Sequence, residues 1–281
     1  LKPLGSEKIW VWVLLAPTLV GLAFGALGSI FATLGISFFN WDLLTPPTFA
    51  GLANYTALFS DRLFSKALVN TLVFVAMYVP TVMVASLAIA LLLNRKVHGL
   101  SFFRTAYFLP AVSSAVAVGL VWSWIYAKDT GVLNYMIRAM GGQPVNWLGT
   151  SMAMVSVVIM NVWGAVGEGA IIFLAGLQAV PRTFYEAADV DGANEWEKFW
   201  HITTPLITPS IFFQLIIATI NAFQAFEFIY VLTRGGPNGA TTTVVYSIYR
   251  NGFDYFRMGF ASAQALVLAA DRKVIGQAQY G

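Results

Sequence analysis

Five stretches of this chain are each long and apolar enough to cross a bilayer as helix: residues 9–39, 67–93, 106–126, 152–177 and 206–232. Spanning the hydrocarbon layer takes about 20 apolar residues. There the backbone must satisfy its own hydrogen bonds, which restricts the chain to very few architectures. A sixth run begins near Met258 and turns polar at Asp271, so it reads as an incomplete last helix, too short to span. The expected fold is all-α and polytopic, a single transmembrane domain over 1–281.

Composition agrees. Only 10% of residues are charged against 58% hydrophobic, with a mean hydropathy of +0.71, whereas soluble domains carry about 25% charged residues. The lipid bilayer is therefore the expected solvent. The net charge of +3 comes without the basic patch of a nucleic-acid binder. There is no cysteine, which removes disulfides and thiolate metal sites. His98 and His201 have no partner at metal-ligand spacing, so no metal site is expected. No G-x-x-x-x-G-K-[ST] phosphate loop occurs, nor any paired-carboxylate or nucleophile–base set. An enzyme is not expected, and any ATP would be hydrolysed on another chain. The first run carries Lys2 and Lys8 as a signal peptide would, but it far exceeds a 7–15-residue signal core and reads as a retained helix.

Lys and Arg set orientation. Residues 94–104 hold Arg95, Lys96 and Arg104 with no acid, which places that loop in the cytoplasm. Alternation then puts the N-terminus, 181–209 and the C-terminus inside, with nine Lys and Arg inside and seven outside. The outer loops would be 40–66, 127–150 and 233–257. Trp41, Tyr55, Trp124, Tyr126 and Trp147 fall near predicted membrane edges, as an aromatic belt would place them. Pro17, Pro80 and Pro110 lie in or at the ends of apolar runs and can kink them.

Between the fourth and fifth runs lies a charged island, PRTFYEAADVDGANEWEKFWHITTPLITP, residues 181–209. Thr183 and Glu186 have the spacing of a capping box. Gly192 can close the first helix in a left-handed conformation. Asn194 and Glu197 repeat the cap, and a second helix should run to about Ile202 and stop before Pro205. Phe184, Tyr185, Trp196, Phe199 and Trp200 are bulky for a water-facing loop, so some should pack on the membrane helices and others could enter a partner. An ordinary capped connector explains the same residues equally well.

The spacing Glu186-Ala187-Ala188, Gly192, Ile202, Thr204-Pro205 resembles the cytoplasmic loop of permease subunits of bacterial binding-protein-dependent ABC importers. Thr204 stands where the usual pattern has Leu. Residues 51–74, 102–122 and 230–253 look like the first-permease type of carbohydrate importers, and the resemblance runs to about Leu268. It implies a six-helix alternating-access permease fold in a bacterial inner membrane. It also implies a second homologous permease, two ATPase subunits that carry ATP and Mg, and an external solute-binding protein. Under it the island is the ATPase-coupling element, with Glu186, Ala187, Ala188, Asp191, Gly192, Ile202 and Pro205 as its residues.

Ionisable groups inside membrane helices are costly and usually face an interior or water. Glu168 and Glu227 qualify. Asn221, Gln224 and Glu227 are spaced by three, and Asn161 and Glu168 by seven, each set along one helix face. With Trp163 and Phe228 nearby, these polar and aromatic groups suit a sugar. Asn161 and Gln224 fit interhelical hydrogen bonding equally well. The competing function is a stand-alone ion-coupled secondary transporter using the two carboxylates. It would show inverted repeats, which are not visible here, and would leave the island unused.

Overall fold

The computed structural model describes residues 5–94, 105, 107 and 109–277, with side chains described from Trp10 to Ala269 within those bounds. Arg95, Lys96 and Arg104, on which the expected orientation rests, lie outside them. The described residues group into two compact units. One holds the described residues up to Ser65 with those from Ser247; the other is Lys66–Tyr246.

In the first unit α1 (Gly5–Gly21) continues through a π-helical stretch, Leu22–Leu27, into α2 (Gly28–Ile36). A two-residue antiparallel pair, β1 (Phe39–Asn40) and β2 (Thr48–Phe49), sets Phe39 opposite Phe49. Helix α3 (Ala53–Ser60) follows. Its buried Asn54 amide donates to the carbonyls of Ser37 (2.9 Å) and Phe39 (3.0 Å).

The second unit is assembled mainly from α4 (Arg62–Leu93), α5 (Ala115–Ile125), α6 (Val132–Ala139) and α7 (Ala153–Ala179). The island forms α8 (Arg182–Val190) and α9 (Glu195–Lys198). A π-turn, Phe199–Thr203, leads to α10 (Thr204–Leu206), then α11 (Thr208–Phe223), α12 (Glu227–Leu232) and α13 (Val244–Tyr249). The first unit closes with a π-turn, Arg250–Asp254, and α14 (Met258–Gln277). The core of the second unit gathers Phe74, Tyr78 and Val82 of α4, Val118 of α5, Val157 and Met160 of α7, Ala218 of α11 and Ile229 of α12.

Among the described residues four helices are long and apolar enough to span, not five: Trp10–Ile36, Arg62–Leu93, Ala153–Ala179 and Thr208–Leu232. The third expected run is broken. Ser114 is extended (φ −60°, ψ 127°), leaving Ala115–Ile125 as a short apolar helix. The break follows Pro110, which cannot donate to the helix. The Ser113 backbone and hydroxyl turn back to the carbonyls of Pro110 (3.2 Å) and Leu109 (2.8 Å). The fifth run is interrupted too, at Gln224–Phe226, with Phe226 at φ −136° and ψ −58°. There the freed Ala225 carbonyl accepts from Thr243 Oγ1 (3.0 Å). Broken helices persist at membrane depth only where protein or water satisfies the freed groups. The sixth run is helical throughout Met258–Gln277, with Met258–Ala269 its apolar part.

Of the expected belt residues, Trp124 is exposed and Tyr126 is not. Tyr126 is buried, and its hydroxyl donates to the Ser156 carbonyl (3.0 Å). Nearby, buried Asn134 organises the 127–150 loop. Its amide donates to the carbonyls of Lys128 (2.9 Å) and Val145 (2.8 Å). Its oxygen accepts from Val145 N (2.9 Å) and Trp147 Nε1 (3.1 Å). An asparagine satisfied on both faces fixes a loop that hydropathy reads as structureless.

Candidate functional site

Two features of the second unit carry chemistry, the island and a cavity beside the helix breaks. In the island the first cap differs from expectation. Helix α8 starts at Arg182 with Pro181 in the capping position and no side-chain cap, so the Thr183–Glu186 box does not form. Proline's fixed φ suits a helix start and needs no donor, which puts Thr183 already inside the first turn. Gly192 does close α8, at φ +78°. The amides of Gly192 and Ala193 bond the carbonyls of Asp189 (3.2 Å) and Ala188 (2.9 Å), the pairing of a Schellman end. The Asn194–Glu197 capping box forms as expected, both bonds present.

The second helix does not stop before Pro205. It widens into the π-turn, where Thr204 N bonds the Phe199 carbonyl, and Pro205 enters the following turn. A π-turn is one way a helix absorbs a residue that cannot join its i→i−4 ladder.

Three contacts fix the two short helices. Lys198 donates to the carboxylates of Asp189 on α8 and Glu195 on α9. Those bonds, Asp189's first and then Glu195's, hold the Lys198 ammonium above the usual lysine range. Tyr185 and Thr203 share a hydroxyl hydrogen bond (2.9 Å). Ile202 packs with Leu177, Val180 and Ile207 at the ends of α7 and α11. This leaves Glu186, Ala187, Asp191, Gly192 and Pro205 exposed, with Ala188 half-buried. Val190 at the tip is 88% exposed and Trp196 69%. The island is thus a bent bracket of two short helices held at the ends of α7 and α11, with its outer face exposed.

The cavity has a volume of about 450 Å³ and lies where both breaks meet α4 and α7. Pro110, Ser113 and Ala115 line it from the first break, and Gln224, Phe226, Glu227 and Phe228 from the second. Tyr78 comes from α4, Asn161 and Glu168 from α7, and Asn221 from α11. Five of the six expected path residues therefore share one cavity. Trp163 does not. It sits on another face of α7, edge-on to Trp122 at 5.7 Å. The sevenfold spacing kept Asn161 and Glu168 together, and Trp163 is two residues off that line. Gly164 leaves space for the Phe228 ring, whose nearest atom would be 3.6 Å from an added Cβ.

The Asn161 amide donates back to the Val157 carbonyl (2.8 Å). The side chains of Glu168, Asn221, Gln224 and Glu227 make no hydrogen bond or ion pair among the described residues, and all four are exposed. A carboxylate left so in hydrocarbon would be costly, so these groups call for water, cargo or a partner chain.

Sequence reasoning missed a crossing below it. Gly169 of α7 lies against Ser86 of α4 and Gln214 of α11, both buried. The Ser86 hydroxyl donates to the Val166 carbonyl (3.3 Å), and Gln214 Oε1 has no hydrogen-bond partner among the described residues. Gly169 and Gly176, seven apart, were the available signal, because small residues permit close helix approach in membranes.

Comparison with known proteins follows the same lines. A family model described as "Binding-protein-dependent transport system inner membrane component" matches residues 48–270. The chain is 35% identical over 273 residues to the probable ABC transporter permease protein YesP of Bacillus subtilis, covering 95% of this chain and 88% of the relative. It is 33% identical over 268 residues to the sulfoquinovosyl glycerol transport system permease protein SmoG of Agrobacterium fabrum, covering 94% and 87%. A chain from the crystal structure of a bacterial ABC transporter involved in import of the acidic polysaccharide alginate superposes with a TM-score of 0.84 at 25% identity, covering 96% of this chain and 93% of that one.

Proposed function

Because this chain belongs to the family of binding-protein-dependent transport system inner membrane components, we propose that it is the permease subunit of an ATP-driven importer that moves a sugar or related polyol inward by alternating access. The observation that carries the reading is the carboxylate-lined cavity at two helix breaks, in the same unit as a two-helix bracket with an exposed outer face. Breaks line a path that can change shape. A bracket clipped to α7 and α11 can transmit a push to the helices that line that path. The names of two relatives, concerned with sulfoquinovosyl glycerol and alginate, support a carbohydrate cargo.

In this reading the cavity residues Asn161, Glu168, Asn221, Gln224 and Glu227 contact cargo. Glu186, Ala187, Ala188, Asp191 and Gly192 meet an ATPase subunit, and Ile202 and Pro205 anchor the bracket. ATP and Mg belong to two such ATPase subunits. A second homologous permease completes the path, and an external solute-binding protein delivers the sugar. The chain would lie in a bacterial inner membrane with its N-terminus in the cytoplasm. The test is reconstitution of the assembled complex in liposomes with a panel of labelled sugars. Uptake should require both ATP and the binding protein. Uptake by this chain alone, driven by a proton or sodium gradient, would establish the secondary-transporter alternative instead.

Orientation has its own check. A cysteine at exposed Asn194 meets no competing thiol, since the chain has none. It should resist an impermeant maleimide in intact cells and react in inverted vesicles. Labelling from outside would remove the coupling role.

A further inference from the structure

The cavity carries more information than the word sugar. Among the described residues none that lines it is Lys, Arg or His, while two are carboxylates, Glu168 and Glu227. Neither carboxylate has a hydrogen-bonded or ion-paired partner among the described residues. The remaining polar lining is neutral: Tyr78, Ser113, Asn161, Asn221 and Gln224. Resting on the importer reading above, we propose that this chain's cargo, unlike the acidic polysaccharide named for its structural neighbour, is a saccharide without acidic groups, neutral or bearing a free amine, and that Glu168 and Glu227 exclude anionic sugars.

Magnitudes favour this assignment. Two helix N-termini, at Ala115 and Glu227, open beside the cavity. A long helix carries roughly +0.5 of a charge at that end. Two such ends fall well short of offsetting two carboxylates, and α12, with six residues, is too short to supply its full share. An entering phosphate, sulfonate or uronate would add a like charge in a confined space of low effective dielectric, where repulsion is far stronger than in water. Sugar hydroxyls do the opposite. They donate to unpaired carboxylate oxygens, and charge-assisted hydrogen bonds are the strong ones. An ammonium would be favoured further. The Phe226 and Phe228 side chains line the same space and present apolar surface for the C–H face of a sugar ring.

The experiment uses the whole complex in two steps. In liposomes with the binding protein, ATP-driven uptake is measured for neutral disaccharides, amino sugars such as chitobiose with free amines, and acidic ones such as glucuronate-containing disaccharides. Neutral or amino sugars should be carried and acidic ones should not. Saturation-transfer NMR on the solubilised complex without binding protein then reads the permease's own preference, using cellobiose, deacetylated chitobiose and glucuronic acid as probes. Wild-type complex should favour the first two over glucuronic acid by about tenfold or more. Glu168→Gln with Glu227→Gln should shrink that ratio toward unity, weakening cellobiose binding as its charge-assisted bonds are lost while raising glucuronic acid binding in absolute terms. The two single variants should each recover part of it, which keeps the test intact if the double variant assembles poorly. Uptake of an acidic sugar by wild type, or an unchanged ratio in the variants, overturns the charge filter and leaves the importer reading standing. Failure of every sugar to be carried with ATP overturns the importer reading itself.

Discussion

Replacing Gly169 with valine is expected to deplete the membrane of folded protein. The Cβ that valine adds would lie against the Ser86 hydroxyl, 2.7 Å from Gln214 Nε2 and 2.8 Å from Ser86 Cβ. Contacts below 3.0 Å are not tolerated by real Cβ atoms, and Ser86 is fully buried while Gln214 is 4% exposed. A hydroxyl can rotate away, but the Ser86 Cβ belongs to α4 and moves only with it. Overpacking of this kind costs about 1–3 kcal/mol. Valine should exceed alanine, because its two methyl groups meet the same wall. Gly176 repeats the geometry two turns on, where an added Cβ would lie 2.9 Å from Ser210 Cβ on α11. Recovery of monodisperse protein in detergent and its thermal midpoint are the readouts. Gly169→Ala should lower both, Gly169→Val should nearly abolish recovery, and Ser86→Gly should partly rescue Gly169→Ala by returning the missing volume. Gly164→Ala is the control, since its nearest neighbour stands at 3.6 Å. Equal recovery of the Gly169 and Gly164 variants would show that the helices are not in close contact there.

That crossing also marks the limit of what hydropathy could reveal. The apolar runs located the spanning helices because bilayer thickness fixes their length, and length survives without knowledge of neighbours. The spacing of Asn161 with Glu168 survived for a similar reason: helical period is local. Glu227 joins Asn221 and Gln224 at the cavity across a helix break instead. What failed was anything set by a neighbour distant in sequence. The break at Ser114 needs an environment that accepts freed backbone groups, and the break at Phe226 leans on Thr243. Average hydropathy passes over both because the residues around them remain apolar. Tyr126 reads as a belt residue until its hydroxyl is seen to reach Ser156. Thr183 reads as a cap until Pro181 starts the helix two residues before it. In the island, Gly192 and the Asn194–Glu197 box were legible because a cap is made within a few residues. The lysine clip between Asp189 and Lys198 joins two helices across a bend and was not.

Gly192→Val is expected to uncouple the complex while leaving its assembly intact. Gly192 sits at φ +78° with nothing within 4 Å of an added Cβ, so any effect comes from backbone conformation and not from collision. A left-handed conformation costs an ordinary L-residue roughly 1–2 kcal/mol, and a β-branched one is a genuine outlier there. The chain can relieve that strain by unwinding the Schellman end. Doing so would release the bonds from Gly192 and Ala193 to Asp189 and Ala188 and swing α8 relative to α9. The Lys198 ion pairs resist the swing, but they lie at a surface where such pairs contribute little. The bare face of α8 should then reach its partner at the wrong angle. In the proposed complex the variant should still bind sugar-loaded binding protein and keep its basal ATP hydrolysis, while stimulation of hydrolysis by that protein falls close to the basal rate. Asparagine, which tolerates the left-handed region, should retain most of the stimulation, and alanine should fall between. The order Gly, Asn, Ala, Val is the signature of a conformational requirement. An order following side-chain volume would point to a buried contact at this position, and full stimulation in Gly192→Val would show that the bend between α8 and α9 carries no coupling.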